Sequence, residues 1–186
     1  MKAACLAWGS LLWKPGRLPL ASVWMEGGPE LPLEFARVGD LGELAVVMLD
    51  GSPMLPTWWA SLDVAGAGQA REALREREEI DPARPEWVGS SLGDAGLPHA
   101  SAIEEWRLRQ GLDLVVWTAL PARIHGVEGR APSAEEALAY LAGLSGDTRA
   151  HARDYMRRVP PTIATPIRAR IIAGLGWSPD IASGGT

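Results

Sequence analysis

LAWGSLLWKPG, residues 6–16, is a short apolar run that breaks at Gly9-Ser10, between Trp8 and Trp13, and ends on Pro15-Gly16. It begins as a buried strand and finishes as a turn. Glycine lets the backbone approach a ligand closely, and consecutive N–H groups at a strand end can form an anion-binding nest. An ordinary turn fits the same residues, so the rest of the chain has to separate the two readings.

Working outward, residues 3–8 (AACLAW) read as a first strand. LPLEFARV (31–38) and ELAVVML (43–49) flank a polar Gly-Asp-Leu-Gly step, the pattern of a hairpin. MLPTWWASL (54–62) reads as a further strand. The period then changes. AGQAREALREREEI (67–80) is dense in Ala, Arg and Glu and predicts a helix, closed by Pro82 and Pro85. Residues 88–98 read as a Gly/Ser loop, 101–110 as a short helix and LDLVVWTAL (112–120) as a strand. Ser133 with Glu136 forms a capping-box pattern that opens a helix through Leu141. Further helices are expected over 147–158 and 164–173.

Most strands precede most helices, and short turns join the strands. That order predicts an α+β protein with a mainly antiparallel sheet. The length of 186 residues suits one domain with a full core. We read residues 1–178 as a single domain and 179–186 as a flexible C-terminal tail.

Composition narrows the function classes. A net charge of −5 argues against a nucleic-acid partner, because phosphate binding needs a basic face. No run approaches the roughly 20 apolar residues of a membrane span. Residues 1–12 lack the features of a signal peptide, so a cytoplasmic protein is expected. Cys5 lies in the apolar opening run and reads as a small core residue. His99, His125 and His151 are too far apart for local metal-ligand spacing, so no metal is expected.

GSLLWKPG, residues 9–16, resembles the YGSL-x-W-x-P-G signature that opens the γ-glutamylcyclotransferase superfamily, nearest its glutathione-degrading, ChaC-type branch. Gly9, Ser10, Leu11, Trp13, Pro15 and Gly16 all fit. In that family a hairpin-rich barrel precedes a helix carrying the catalytic glutamate in a motif like L-x-x-R-E. Leu74-Arg75-Glu76-Arg77-Glu78 supplies the string here, and Val115-Val116-Trp117 resembles the family's penultimate strand. Beyond residue 120 the likeness is faint: Asp154-Tyr155 stands where the branch has Glu-Tyr, and a plain helical tyrosine is the better reading.

The resemblance implies a mixed β-barrel flanked by helices and a lyase- or transferase-type cyclisation that needs no cofactor. The α-amine of a γ-glutamyl group attacks its own γ-amide carbonyl, giving 5-oxoproline and an amine, amino acid or dipeptide. It implies Glu78 as the catalytic residue and Trp8, Gly9, Ser10 and Leu11 as the substrate-binding turn for a small γ-glutamyl molecule. The residues suit those tasks. With Ala67, Ala70 and Leu74 on one helix face, Glu78 falls only about 40° from Leu74, at ~100° per residue. Desolvation and the negative end of the helix dipole there both raise a carboxyl pKa toward base duty near neutral pH. Glu72, Glu76 and Glu79 point the other way. Two departures leave an alternative open. Trp8 replaces the signature tyrosine, and Glu79-Ile80 replaces the Gly-Gly turn that often follows the glutamate. Both fit a changed substrate, or a non-catalytic member of the fold that binds a small anion or a protein. The sequence leaves the leaving group and the oligomeric state open.

Overall fold

The computed structural model describes residues 1–93 and 99–180. Residues 94–98 of the expected loop and 181–186 of the expected tail lie outside the described residues. In chain order the strands are β1 (Ala3–Ala7), β2 (Met25–Glu26), β3 (Leu31–Val38), β4 (Leu44–Met48) and β5 (Met54–Leu55). They continue as β6 (Trp58–Leu62), β7 (Val88–Ser90), β8 (Leu114–Thr118), β9 (Arg123–Ile124) and β10 (Val127–Glu128). The helices are α1 (Ala67–Arg77), α2 (Ala100–Gln110), α3 (Ala134–Ala142), α4 (Gly146–Arg158) and α5 (Pro166–Leu175). Two compact units result: Met1–Leu31 with Pro56–Leu120, and Pro32–Leu55 with the described residues from Pro121 onward.

In the first unit β1 is central, antiparallel to β6 and parallel to β8, in the order β2-β6-β1-β8-β7. A second sheet runs β10-β9-β3-β4, with β5 beside β3. The fold is therefore α+β with mixed sheets. Among the described residues neither sheet closes into the expected barrel. The first ends on β2 and β7, of two and three residues, too short to carry the ladder further.

Ala3, Cys5 and Ala7 alternate along one face of β1 and share an apolar cluster with Ala70 and Leu74 of α1. Their small side chains let the helix come close to the sheet. Leu74 is fully buried, a contribution of about 1.5–3 kcal/mol for a side chain of its kind. Leu62, Val88, Leu114 and Val116 complete the strand side of the cluster.

Three expectations need correction. The strand read over 54–62 is two strands. Pro56 has no N–H to continue a ladder, and Thr57 turns aside to donate its hydroxyl to the Pro29 carbonyl at 2.7 Å. The loop read over 88–98 begins with a strand, in which Gly89 pairs with Trp117. A Cβ at Gly89 would lie 2.1 Å from Trp117 Cε2, so this glycine makes room for a ring rather than for a turn. The helix read over 67–80 stops at Arg77, with Glu78 as its cap.

The second unit keeps the expected hairpin, β3 against β4, with a bulge between Phe35 and Arg37. Ser133 and Glu136 form both bonds of the capping box that opens α3. Buried Arg168 on α5 donates to the carbonyls of Met156, Val159, Pro160 and Ile163. It thereby satisfies the end of α4 and the connection after it, groups that a helix terminus leaves without partners. No helix among the described residues is long and apolar enough to cross a membrane.

Candidate functional site

The first unit holds all five residues that the sequence singles out. Beyond Ala7 the chain leaves β1 through buried Trp8 and Gly9 and turns into a 3-10 helix over Ser10–Leu12. Leu12 N–H donates to Gly9 O at 3.0 Å, and Lys14 N–H to Ser10 O at 2.8 Å. A 3-10 bond spans three residues, so the amides of Ser10 and Leu11 have no acceptor within the turn. Leu11 as a whole is 5% exposed, with its side chain anchored in the apolar cluster, so it holds the turn against the core. Gly16 closes the segment at φ +62°, in the left-handed region that glycine enters without cost.

Glu78 caps α1, and a Schellman arrangement sets its position. Ile80 N–H reaches back to Arg75 O at 3.0 Å and Glu79 N–H to Glu76 O at 3.2 Å, with Glu79 at φ +53°. Ile80 and Leu74 share the apolar cluster, the hydrophobic contact typical of this helix ending. The Glu78 side chain is 15% exposed, whereas Glu72, Glu76 and Glu79 are exposed residues. The facing expected from the helical period is therefore the one adopted.

Burial pushes the Glu78 carboxyl above its ordinary value, against the opposing influence of the Arg77 guanidinium and a hydrogen bond from Thr118. Arg77 Nη1 stands 3.5 Å from Glu78 Oε1, and Thr118 Oγ1 donates to the same oxygen at 3.4 Å. Arg77 Nη2 donates to Ser10 Oγ at 3.0 Å and to Lys14 O at 2.6 Å. One guanidinium thus spans the Gly-Ser turn and the carboxylate. Since Ser10 Oγ accepts from Arg77, its own hydrogen is left to donate.

Arg77 and Thr118 were not singled out from the sequence. Arg77 sits inside the string that carries Glu78. Thr118 follows from topology: β1 and β8 run parallel with Cys5 beside Val116, and the same register carried on sets Thr118 beside Ala7. The Gly-Ser turn leaves β1 at this same carboxyl end. Cys5 is fully buried below it; burial first, then Glu78, push its thiol far above the ordinary value, so it stays protonated.

Arg37 and Tyr155 are engaged outside this site. Arg37, in the second unit, pairs with the Glu128 carboxylate at 2.6 and 3.1 Å and with Pro121 O at 2.9 Å. The Tyr155 hydroxyl, in the same unit, accepts the Val46 N–H at 3.1 Å. Among the described residues no group of three His, Cys, Asp or Glu is placed to hold a metal ion.

Compared with known proteins, the chain matches no family model, no curated protein and no solved structure.

Proposed function

We propose that this chain is a γ-glutamylcyclotransferase-like enzyme that cyclises a γ-glutamyl amide to 5-oxoproline and releases an amine, amino acid or dipeptide. The observation that supports it is the joining of two groups through Arg77. On one side is a turn with amide and hydroxyl donors, on the other a half-buried carboxylate of raised pKa. On this reading the protein works in the cytoplasm on a small molecule.

The substrate supplies its own nucleophile. The Ser10 hydroxyl and the turn amides hold the α-carboxylate, and Glu78 takes a proton from the α-ammonium. The freed amine attacks the γ-carbonyl carbon, forming the ring C–N bond and an oxyanion. As that adduct collapses, Glu78 gives its proton to the leaving nitrogen, the original amide C–N bond breaks, and the surplus proton on the ring nitrogen passes through the freed Glu78 carboxylate to the released amine, which departs as its ammonium. Holding amine and carbonyl in a ring-forming pose can lower the barrier by up to ~7–11 kcal/mol in ideal intramolecular cases. Proton transfer through a positioned carboxylate adds typically ~10²–10⁴-fold.

The test is incubation with glutathione, γ-glutamyl dipeptides and γ-glutamyl amines, followed by assay for free 5-oxoproline. Release from at least one supports the enzyme. No release from any member sinks it, and leaves the turn as the binding site of a non-catalytic protein.

A further inference from the structure

Arg77 is the last residue of α1, and its side chain is 11% exposed. Its Nε and Nη2 both donate to the Lys14 carbonyl, at 3.0 and 2.6 Å, and Nη2 also reaches Ser10 Oγ. The remaining nitrogen, Nη1, faces Glu78 Oε1. One rigid planar fork therefore grips the turn along one edge and presents charge to the carboxylate along the other. A lysine ammonium supplies the charge but not the fork.

Resting on the proposed function, we infer that Arg77 is a positioning residue that makes the Gly-Ser turn and Glu78 one charge-linked unit. Its guanidinium fixes the Ser10 hydroxyl for a substrate carboxylate and holds the Glu78 carboxylate beside it. Among the described residues, the groups facing Glu78 are Arg77 from α1, the Thr118 hydroxyl from β8 and the protonated Cys5 thiol from β1. Arg77 is the cation among them. Free of ligand, it favours the ionised form of Glu78. A substrate carboxylate seated on the turn shares that cation, so Glu78 becomes more basic when a proton has to be taken from the α-ammonium. The two ends of the substrate are then handled in sequence by one side chain.

The experiment is an NMR titration of the Glu78 carboxyl in ligand-free wild type, Arg77→Gln and Arg77→Lys, with circular dichroism to verify folding. KM for a γ-glutamyl dipeptide is measured alongside. Arg77→Gln should move the Glu78 midpoint to higher pH, and Arg77→Lys should return it toward wild type. Both variants should raise KM by roughly tenfold or more, the effect of losing a hydrogen bond to a charged group. A merely structural arginine would not separate the two readouts in this way. An unmoved midpoint in Arg77→Gln, or an unchanged KM in both variants, overturns the inference. Should Arg77→Gln not fold, wild type saturated with 5-oxoproline replaces it: the midpoint should rise on binding, and a static one overturns the coupling. If wild type releases no 5-oxoproline at all, the functional reading falls, while the ligand-free titration still decides whether Arg77 governs Glu78.

Discussion

The Thr118 hydroxyl lies 3.4 Å from Glu78 Oε1, tying the end of β8 to the cap of α1 across 40 residues of sequence. A donor aimed at a carboxylate favours its ionised form and so works against burial. Thr118→Val keeps the shape and removes the donor. Glu78 should then hold its proton to higher pH, and the acid limb of the pH–rate profile for 5-oxoproline release should move the same way. An unchanged limb would mean that the long contact carries no electrostatic weight.

The raised pKa of Glu78 also bears on stability. Its folded value lies above the ordinary 4.5, because burial disfavours the charge. The folded state therefore binds the proton more tightly than the unfolded chain. The stabilising contribution is complete below the ordinary carboxyl range and is lost as pH rises through the raised value. At neutral pH the charged carboxylate is a liability. Glu78→Gln should unfold at higher denaturant than wild type near pH 7, and the difference should vanish near pH 4. A glutamine variant weaker at neutral pH would show that the Arg77 pairing outweighs desolvation.

Glu79 occupies the left-handed position of the Schellman ending, at φ +53°, where the resembled family often has glycine. An L side chain there costs roughly 1–2 kcal/mol, and glycine returns part of that gain as extra unfolded-chain entropy. Glu79→Gly should stabilise the protein by about 0.5–1 kcal/mol, read from the denaturant midpoint at constant slope. The departure at Glu79-Ile80 is thus absorbed by the backbone, since the helix ending still forms with glutamate in place.

What the sequence made legible was what local chemistry decides. Ser133 and Glu136 cap a helix with their own side chains, and the hydrophobic runs at 31–38 and 43–49 pair across their own turn. Strands β2, β9 and β10 are two residues long, too short for any period to register. Strand β7 was hidden because Gly89 looks like a loop residue until the ring of Trp117 is seen against it. At the site, the 3.6-residue period was enough to turn Glu78 inward. The same wheel sets Arg77 about 60° to the other side of Leu74, at the opposite edge of the apolar face. Thr118 was not legible, because its place depends on the parallel pairing of β1 with β8.

Gly89 offers a test of that packing. A Cβ at this position would meet Trp117 Cε2 at 2.1 Å and Nε1 at 2.3 Å, and the ring is fully buried. Gly89→Ala should destabilise by about 1–3 kcal/mol, the usual range for overpacking. Because Thr118 follows Trp117 in β8, the Glu78 contact should loosen too. A variant as stable as wild type would mean that the ring has room to move.

Glu78→Gln also gives the most direct test of the chemistry. Glutamine keeps the size and a carbonyl acceptor for Thr118, and cannot take a proton at neutral pH. Turnover should fall by ~10²–10⁴-fold, the usual weight of general acid–base assistance. Affinity for a γ-glutamyl ligand should change much less, because the turn at Gly9, Ser10 and Leu11 and the Arg77 fork that holds it stay intact. Glu76→Gln and Glu79→Gln are the controls: both residues are exposed, and both variants should be nearly silent. If Glu79→Gln were the inactive one, the match of Leu74-Arg75-Glu76-Arg77-Glu78 to the family string would be out of register by one. Should all three keep full turnover, this helix ending does not supply the base, and a half-buried glutamate beside Arg77 would be a structural feature only.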